Sequence, residues 1–196
     1  MPTNPNTGQR AAQRPSLLAV SLGPPVPERA CRNSPDGGTP PVPGVPAVPG
    51  SYILVLRLVH PQRIRIGRLG LLGFAGGRYA YVGSACGPGG LRARIGHHLR
   101  ATPRPHWHID YLRPAAAVAE VWYAAGDRRL ESVFVKICGD HRAHFSPVAG
   151  FGASDSRAPA HLFHIRYKLG VHWFARRLRP ALPEARLQSW RPSDYA

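Results

Sequence analysis

The sequence predicts an α+β fold, in which a small central sheet, mixed or antiparallel, is flanked by helices. Short runs of β-branched and aliphatic residues, beginning at residue 51, alternate with segments that repeat apolar residues at helical spacing. Two or three of the strand-like runs come before a glycine loop and the first helix, an order typical of α+β domains. No apolar run approaches the ~20 residues that cross a membrane, so no membrane partner is expected.

The first 48 residues differ in composition from the rest of the chain. They are rich in Pro, Gly, Ser, Asn and Arg and end in the proline-rich run PPVPGVPAVPG. Such a segment buries too little apolar surface to offset the entropy lost on ordering. We therefore predict a disordered leader over 1–48, or a misassigned start codon, and place the folded domain at 49–166.

Three runs in the first part of the domain predict strands. They are SYILVLRLV at 51–59, RIRI at 63–66 and RYAYV at 78–82. The first run is apolar on both faces, as in a central strand, and the segment 69–73 is expected to be a turn. Alternation along the third run places Tyr79 and Tyr81 on one face of the sheet.

The remaining elements follow from periodicity and from the positions of proline and glycine. Helices are predicted at 91–100, 106–114 and 128–138, and strands at 118–123 and 161–165. Residues 139–160 are expected to be loop-rich. The basic segment 167–196 is predicted to be a poorly structured tail, with a loose helix around 173–178.

The charge of the chain favours a nucleic acid as its partner. The formal net charge is +16, and Lys136 and Lys168 are the only lysines, so nearly all of the positive charge is arginine. Arginine makes planar, bidentate contacts with phosphate, which favours a nucleic acid, DNA or RNA, as the partner. The three cysteines show no CxxC spacing, which suits a reducing cytoplasm.

The segment YAYVGSACGPGGLRARIGHHL (79–99) combines a tyrosine-bearing strand, a glycine loop and a helix. Helical spacing allows Arg94, His97 and His98 to share one face, where they would be suited to binding phosphate. The loop lacks the GK[ST] ending of nucleotide-binding loops, so no small-molecule cofactor is expected.

Several motifs in this order resemble the GIY-YIG nuclease superfamily. The resemblance rests on GSY at 50–52, YVG at 81–83, the arginine of the following helix, HWHIDYL at 106–112, the LES helix at 130–132 and GFGASD at 150–155. It is closest to a small uncharacterised branch that also occurs fused to DNA-repair glycosylases. The resemblance implies a metal-dependent endonuclease that hydrolyses DNA phosphodiester bonds, with a role in repair or processing.

The resemblance also implies roles for individual residues. Tyr52, Tyr81, Arg94 and His98 would be catalytic, with Tyr52 as the general base. Glu131 would hold a single Mg²⁺ or Mn²⁺ ion, a hard cation that prefers carboxylate oxygen and water.

Three further residues are candidate nucleic-acid contacts. Arg92 and Arg100, on the same helix as Arg94, are phosphate-backbone contacts or plain surface residues. The resemblance implies that His108 lies near the site, and Asp110 is expected to orient a histidine or an arginine.

Two other functions compete with the nuclease. A non-catalytic nucleic-acid-binding module would use the same fold and basic surface without cleavage. A small zinc-binding regulatory protein would use His106 and His108, with His97 and His98 nearby, although their spacing does not match the usual zinc pairs.

Overall fold

The structure is a computed structural model that describes residues 42–100, 102–126, 129–153 and 158–192. Its strands are β1 (Gly50–Leu58), β2 (Gln62–Arg65), β3 (Leu71–Phe74), β4 (Gly77–Ala85), β5 (Ala117–Ala125), β6 (Phe145–Pro147), β7 (Leu162–Ile165) and β8 (Gln188–Trp190). Its α-helices are α1 (Gly90–Leu99), α2 (His108–Leu112), α3 (Arg129–Asp140) and α4 (Val171–Leu178). The predicted α+β class is confirmed.

Six strands form one sheet in the order β6-β7-β4-β1-β5-β8, and all neighbouring strands are antiparallel. Strand β1 lies between β4 and β5 and is buried along almost its whole length. This burial explains why its sequence is apolar on both faces. The central position predicted for this strand is therefore correct.

Each face of the sheet carries its own apolar core, because successive side chains of a strand point to opposite faces. On one face, alternate residues such as Tyr52, Leu54 and Tyr81 pack with Leu91 of α1 and Ile109 of α2. On the other face the intervening residues of the same strands pack with α3 and α4, for example Ile53, Val82, Phe134 and Phe174. The sheet is thus enclosed by a pair of helices on each side.

Before the basic tail, two segments that the sequence did not predict as strands are strands in the structure. Residues 71–74, in and beside the predicted turn at 69–73, form β3, which pairs with β2. The chain reverses at Gly67 and Gly70, whose φ angles of 42° and 75° favour glycine, so the turn is earlier than predicted. Strand β6 lies in the segment predicted to be loop and pairs with β7.

The basic tail is the main correction to the predicted domain limits. Segment 167–196 contains α4, which buries Phe174 and Leu178, and β8, which pairs with β5. The helix predicted around 173–178 is present as α4, whereas the prediction that the rest of the tail is poorly structured is wrong for its described residues. Four of its five described arginines are exposed, and they obscured an apolar stripe of only a few residues.

The described part of the predicted leader also belongs to the fold. Val42 and Val45 are buried, and the backbone oxygen of Val48 accepts a hydrogen bond of 2.9 Å from the Leu91 N–H at the start of α1. Residues 1–41, where the rest of the predicted leader falls, lie outside the described residues. The longest described α-helix has 12 residues, so no described helix is long enough to cross a membrane.

Replacing Phe174 by Ala is expected to lower the free energy of unfolding by about 3–5 kcal/mol, because a fully buried aromatic ring is lost from the core. Chemical denaturation followed by circular dichroism measures the change. His172→Ala, at an exposed position of the same helix, is the control and should change stability by less than about 0.5 kcal/mol. Equal effects of the two substitutions would show that α4 does not pack on the sheet.

Candidate functional site

The two tyrosines of the sequence motifs come together through the pairing of β1 with β4. Tyr52 on β1 lies directly opposite Gly83 on β4. Tyr81 comes two residues before Gly83 on β4, so both tyrosine rings lie on the same face of the sheet. The Tyr52 ring passes over Gly83, where an added Cβ would lie only 2.5 Å from the phenolic oxygen. A glycine at this position of the YVG motif is therefore what allows Tyr52 to reach the site.

Helix α1 brings a histidine to the tyrosine pair. The side chain of His98 is buried, and its Nε2 shares a 2.8 Å hydrogen bond with the phenolic oxygen of Tyr52. The ring of Tyr81 is at 6.0 Å from the same imidazole, centroid to centroid, in an edge-on arrangement. His98 is thus fixed against both tyrosines.

One turn earlier on α1, Arg94 is held by an aromatic ring. Its guanidinium carbon lies 4.3 Å from the centre of the Trp107 ring, a cation–π contact. The stacking fixes the plane of the guanidinium without using its N–H donors in hydrogen bonds. Those donors can therefore meet the oxygens of a phosphate.

Asp110 of α2 organises the polar groups beside this site. Its Oδ2 accepts hydrogen bonds from the backbone N–H groups of His106 at 2.9 Å and Trp107 at 3.0 Å. Its Oδ1 lies 3.6 Å from Nε2 of His97 and 4.0 Å from Nδ1 of His98. Asp110 thus lies beside both histidines but beyond hydrogen-bond distance of them, and the orienting role predicted for it stays a prediction.

Glu131 enters from α3, on the other side of the sheet. It lies in the first turn of the helix, with its side chain 25% exposed, and its Oε1 is 3.3 Å from Nδ1 of His161. Its charge acts on Tyr52, raising the pKa of the phenol. Glu131 and Tyr52 line the same cleft.

All five residues for which the resemblance implied catalysis or metal binding line one cleft of about 970 Å³. They come from β1, β4, α1 and α3, and they are Tyr52, Tyr81, Arg94, His98 and Glu131. The cations Lys136 and Arg142 and the acid Asp140 also line the cleft. The carboxylate of Asp140 is paired with Lys136 at 2.9 Å, whereas that of Glu131 contacts His161 at 3.3 Å.

Burial keeps the tyrosine and histidine of the cleft neutral. It raises the pKa of Tyr52 well above 10.0, and the Tyr81 charge adds to this effect, while Arg94 opposes it. Burial also lowers the pKa of His98 to about 3, and the neighbouring His97 and Arg94 act in the same direction. Near neutral pH the pair is therefore a phenol hydrogen-bonded to an uncharged imidazole.

The three predicted nucleic-acid contacts are not among the residues that line the cleft in the described chain. Arg92 is exposed, and its Nε donates to the backbone oxygen of Val45 at 2.9 Å, so it anchors the segment before β1. Arg100 is exposed at the end of α1. Nδ1 of His108 accepts a hydrogen bond of 2.9 Å from the Gly152 N–H, and burial lowers the pKa of its imidazole.

Sequence reasoning missed two residues that shape the cleft. Trp107 was not predicted as a site residue, but its ring stacks on Arg94. His161 was assigned to a strand, whereas it precedes β7 and contacts Glu131. Its contact depends on how the loop before β7 meets α3, for which the sequence contains no local signal.

Comparison with known proteins identifies one family. The family model described as domain of unknown function DUF123 matches residues 51–178, which covers β1 to α4. No curated protein and no solved structure matches this chain. The match extends past residue 166, in agreement with the packing of α4 on the sheet.

Proposed function

This chain belongs to the family described as domain of unknown function DUF123, and from the geometry of its cleft we propose that it is a divalent-metal-dependent endonuclease of the GIY-YIG type. Its substrate is the phosphodiester backbone of DNA. The observation that carries this function is the convergence of two tyrosines, an arginine, a histidine and a glutamate, from four separate elements, on one cleft.

The donor set of the cleft fits a hard divalent cation. Glu131 offers a partly exposed carboxylate to the cleft, and Mg²⁺ typically binds proteins through one or two carboxylates and keeps several waters. A cation held there would supply positive charge to the non-bridging phosphate oxygens and to the leaving oxygen. Glu131 is the residue that would hold it.

Tyr52 and His98 are suited to moving one proton. With Nε2 unprotonated, the phenol of Tyr52 donates to His98 across the 2.8 Å hydrogen bond, and its oxygen is free to accept a proton from water. As water attacks phosphorus, its proton passes to Tyr52 while the phenolic proton passes to His98, whose low pKa then returns the proton to solvent. The bond from phosphorus to the leaving oxygen then breaks, the leaving oxygen takes a proton from solvent water, and neither buried group has to be charged before the reaction begins.

Arg94 supplies fixed positive charge for the same step. Its guanidinium lies over Trp107 beside the tyrosine pair, at the cleft surface. Charge placed in advance where negative charge develops is worth several kcal/mol in a partly dry site. Arg142, which also lines the cleft, adds to the attraction for a polyanion.

A cleavage assay tests this function. Purified protein is incubated with supercoiled, single-stranded and branched DNA, and with RNA, in Mg²⁺, Mn²⁺ or EDTA. We expect DNA strand breaks with Mg²⁺ or Mn²⁺, none with EDTA, and a loss of at least ~100-fold in rate for Arg94→Ala. Binding of DNA without cleavage under every metal would overturn the nuclease and favour the non-catalytic binding module.

A further inference from the structure

A second group of ligand atoms lies beside the cleft. Nε2 of His97, Nδ1 of His98 and Oδ1 of Asp110 all lie within 4.8 Å of one another. The two histidines are neighbours at the end of α1, and the aspartate comes from α2, so the packing of the two helices creates the cluster. We propose that His97, His98 and Asp110 form a zinc-binding site separate from the Glu131 site.

The distances in the cluster are those of metal ligands rather than of hydrogen bonds. The carboxylate oxygen lies 3.6 Å from His97 and 4.0 Å from His98, beyond the 2.7–3.2 Å of N–H···O bonds. Tetrahedral zinc, with ligands at about 2.0–2.2 Å, separates them by roughly 3.4 Å. The carboxylate oxygen therefore has to move closer by about 0.2 Å to His97 and about 0.6 Å to His98, a shift that side-chain rotation can supply.

Both imidazole nitrogens lack a hydrogen-bond partner within the described part of the chain. Nε2 of His97 and Nδ1 of His98 are buried there, and a buried polar atom without a partner is costly. A single cation between them and the carboxylate would satisfy all three atoms at once. Burial also keeps His98 uncharged, the form of histidine that binds metal.

The three side chains are held in place by contacts that their other atoms make with neighbouring residues, as in established zinc sites. The other oxygen of Asp110 accepts two backbone hydrogen bonds, which leaves Oδ1 facing the histidines. Nε2 of His98 shares its hydrogen bond with Tyr52. The His97 ring packs edge-on against Trp107, with 5.0 Å between the ring centroids. Such outer contacts fix ligand geometry and raise metal affinity.

The ligand types of this cluster favour Zn²⁺ over the Mg²⁺ or Mn²⁺ ion proposed for Glu131. Two imidazoles and one carboxylate suit Zn²⁺ and similar transition metals, whereas Mg²⁺ prefers oxygen alone. Three protein ligands leave the fourth tetrahedral position to water. The two sites therefore bind different classes of cation and can be loaded independently.

Zinc at this site has a consequence that rests on the proposed function. With Nδ1 of His98 on the metal, the proton of the neutral imidazole sits on Nε2, which then donates to Tyr52 instead of accepting from it. The transfer of a proton from Tyr52 to His98 is then blocked. Bound zinc would hold the nuclease in an inactive state.

Metal titration of the untagged, metal-stripped full chain tests the site. Calorimetry with Zn²⁺, and the visible spectrum of Co²⁺ as a tetrahedral probe, should show one equivalent bound. His97→Gln and Asp110→Asn should each weaken binding by at least ~100-fold, because one of three ligands is lost. Circular dichroism of both variants verifies that they fold.

Two control variants separate this site from the others. His106→Gln, at an exposed histidine just before α2, and Glu131→Gln, in the cleft, should both bind Zn²⁺ as the unmodified chain does. Zinc binding that His97→Gln leaves unchanged, or no zinc binding by the unmodified chain, would overturn the site. Because the readout is binding, the result holds whether or not the chain cleaves DNA.

Discussion

Replacing Glu131 by Gln is expected to reduce the metal-dependent cleavage of DNA by ~10³-fold or more, while DNA affinity changes by less than about threefold. The amide keeps the shape of the side chain but removes the negative charge that would hold the cation. The loss should appear in the rate of the chemical step, measured by single-turnover kinetics with Mg²⁺. Affinity for the uncleaved substrate in EDTA provides the second measurement.

Asp140→Asn is the matched control for Glu131→Gln. Asp140 lines the same cleft and sits on the same helix, but its carboxylate is ion-paired with Lys136 at 2.9 Å. Cleavage by this variant should stay within about threefold of the unmodified rate, because an exposed ion pair contributes little. If Asp140→Asn removes cleavage and Glu131→Gln does not, Asp140 is the metal ligand and the assignment of Glu131 is wrong.

The comparison of Glu131→Gln with Asp140→Asn is decisive because few carboxylates of the domain are candidates for holding the metal ion. Between residues 50 and 165 the sequence contains six carboxylates, which are Asp110, Glu120, Asp127, Glu131, Asp140 and Asp155. Asp110 caps α2, and Glu120 is buried on β5 with Arg191 at 3.5 Å. Asp127 and Asp155 lie outside the described residues. Of the four that the structure describes, only Glu131 and Asp140 line the cleft.

The sequence was sufficient to predict most strands of the sheet and the five proposed site residues that line the cleft. Alternation and apolar runs are local properties, and they located β1, β4, β5 and β7 and the three helices before residue 140 within a few residues. The motifs then placed Tyr52 and Tyr81 on two of these strands. Their meeting follows from the register of β1 against β4, in which Tyr52 faces Gly83.

The parts that sequence reasoning missed depend on contacts between distant segments. Strand β8 is three residues long and is stabilised by its pairing with β5, about seventy residues earlier in the chain. Val42 and Val45 lie in a proline-rich run that reads as disordered, yet the fold buries both side chains. The convergence of His97, His98 and Asp110 likewise depends on how α1 meets α2. None of these contacts leaves a periodic signal in the sequence.

Gly83→Ala is expected to reduce the rate of cleavage by ~100-fold or more, although it adds only one methyl group. The new Cβ would lie 2.5 Å from the phenolic oxygen of Tyr52 and 2.6 Å from Cζ, far inside contact distance. The ring has to move away, and a displacement of about 1 Å at a reacting group can cost ~100-fold in rate. Its hydrogen bond to His98 would be lost with the movement.

Gly87→Ala separates this effect from the general cost of replacing a glycine. Gly87 lines the same cleft, but an added Cβ there meets nothing within 4 Å, so cleavage should stay within about twofold of the unmodified rate. Single-turnover rates of both variants, with affinity for uncleaved DNA, measure the difference. Loss of rate in Gly83→Ala with affinity retained would show that Tyr52 acts on the chemical step. Equal cleavage rates for Gly83→Ala and Gly87→Ala would contradict a role for Tyr52 in the reaction.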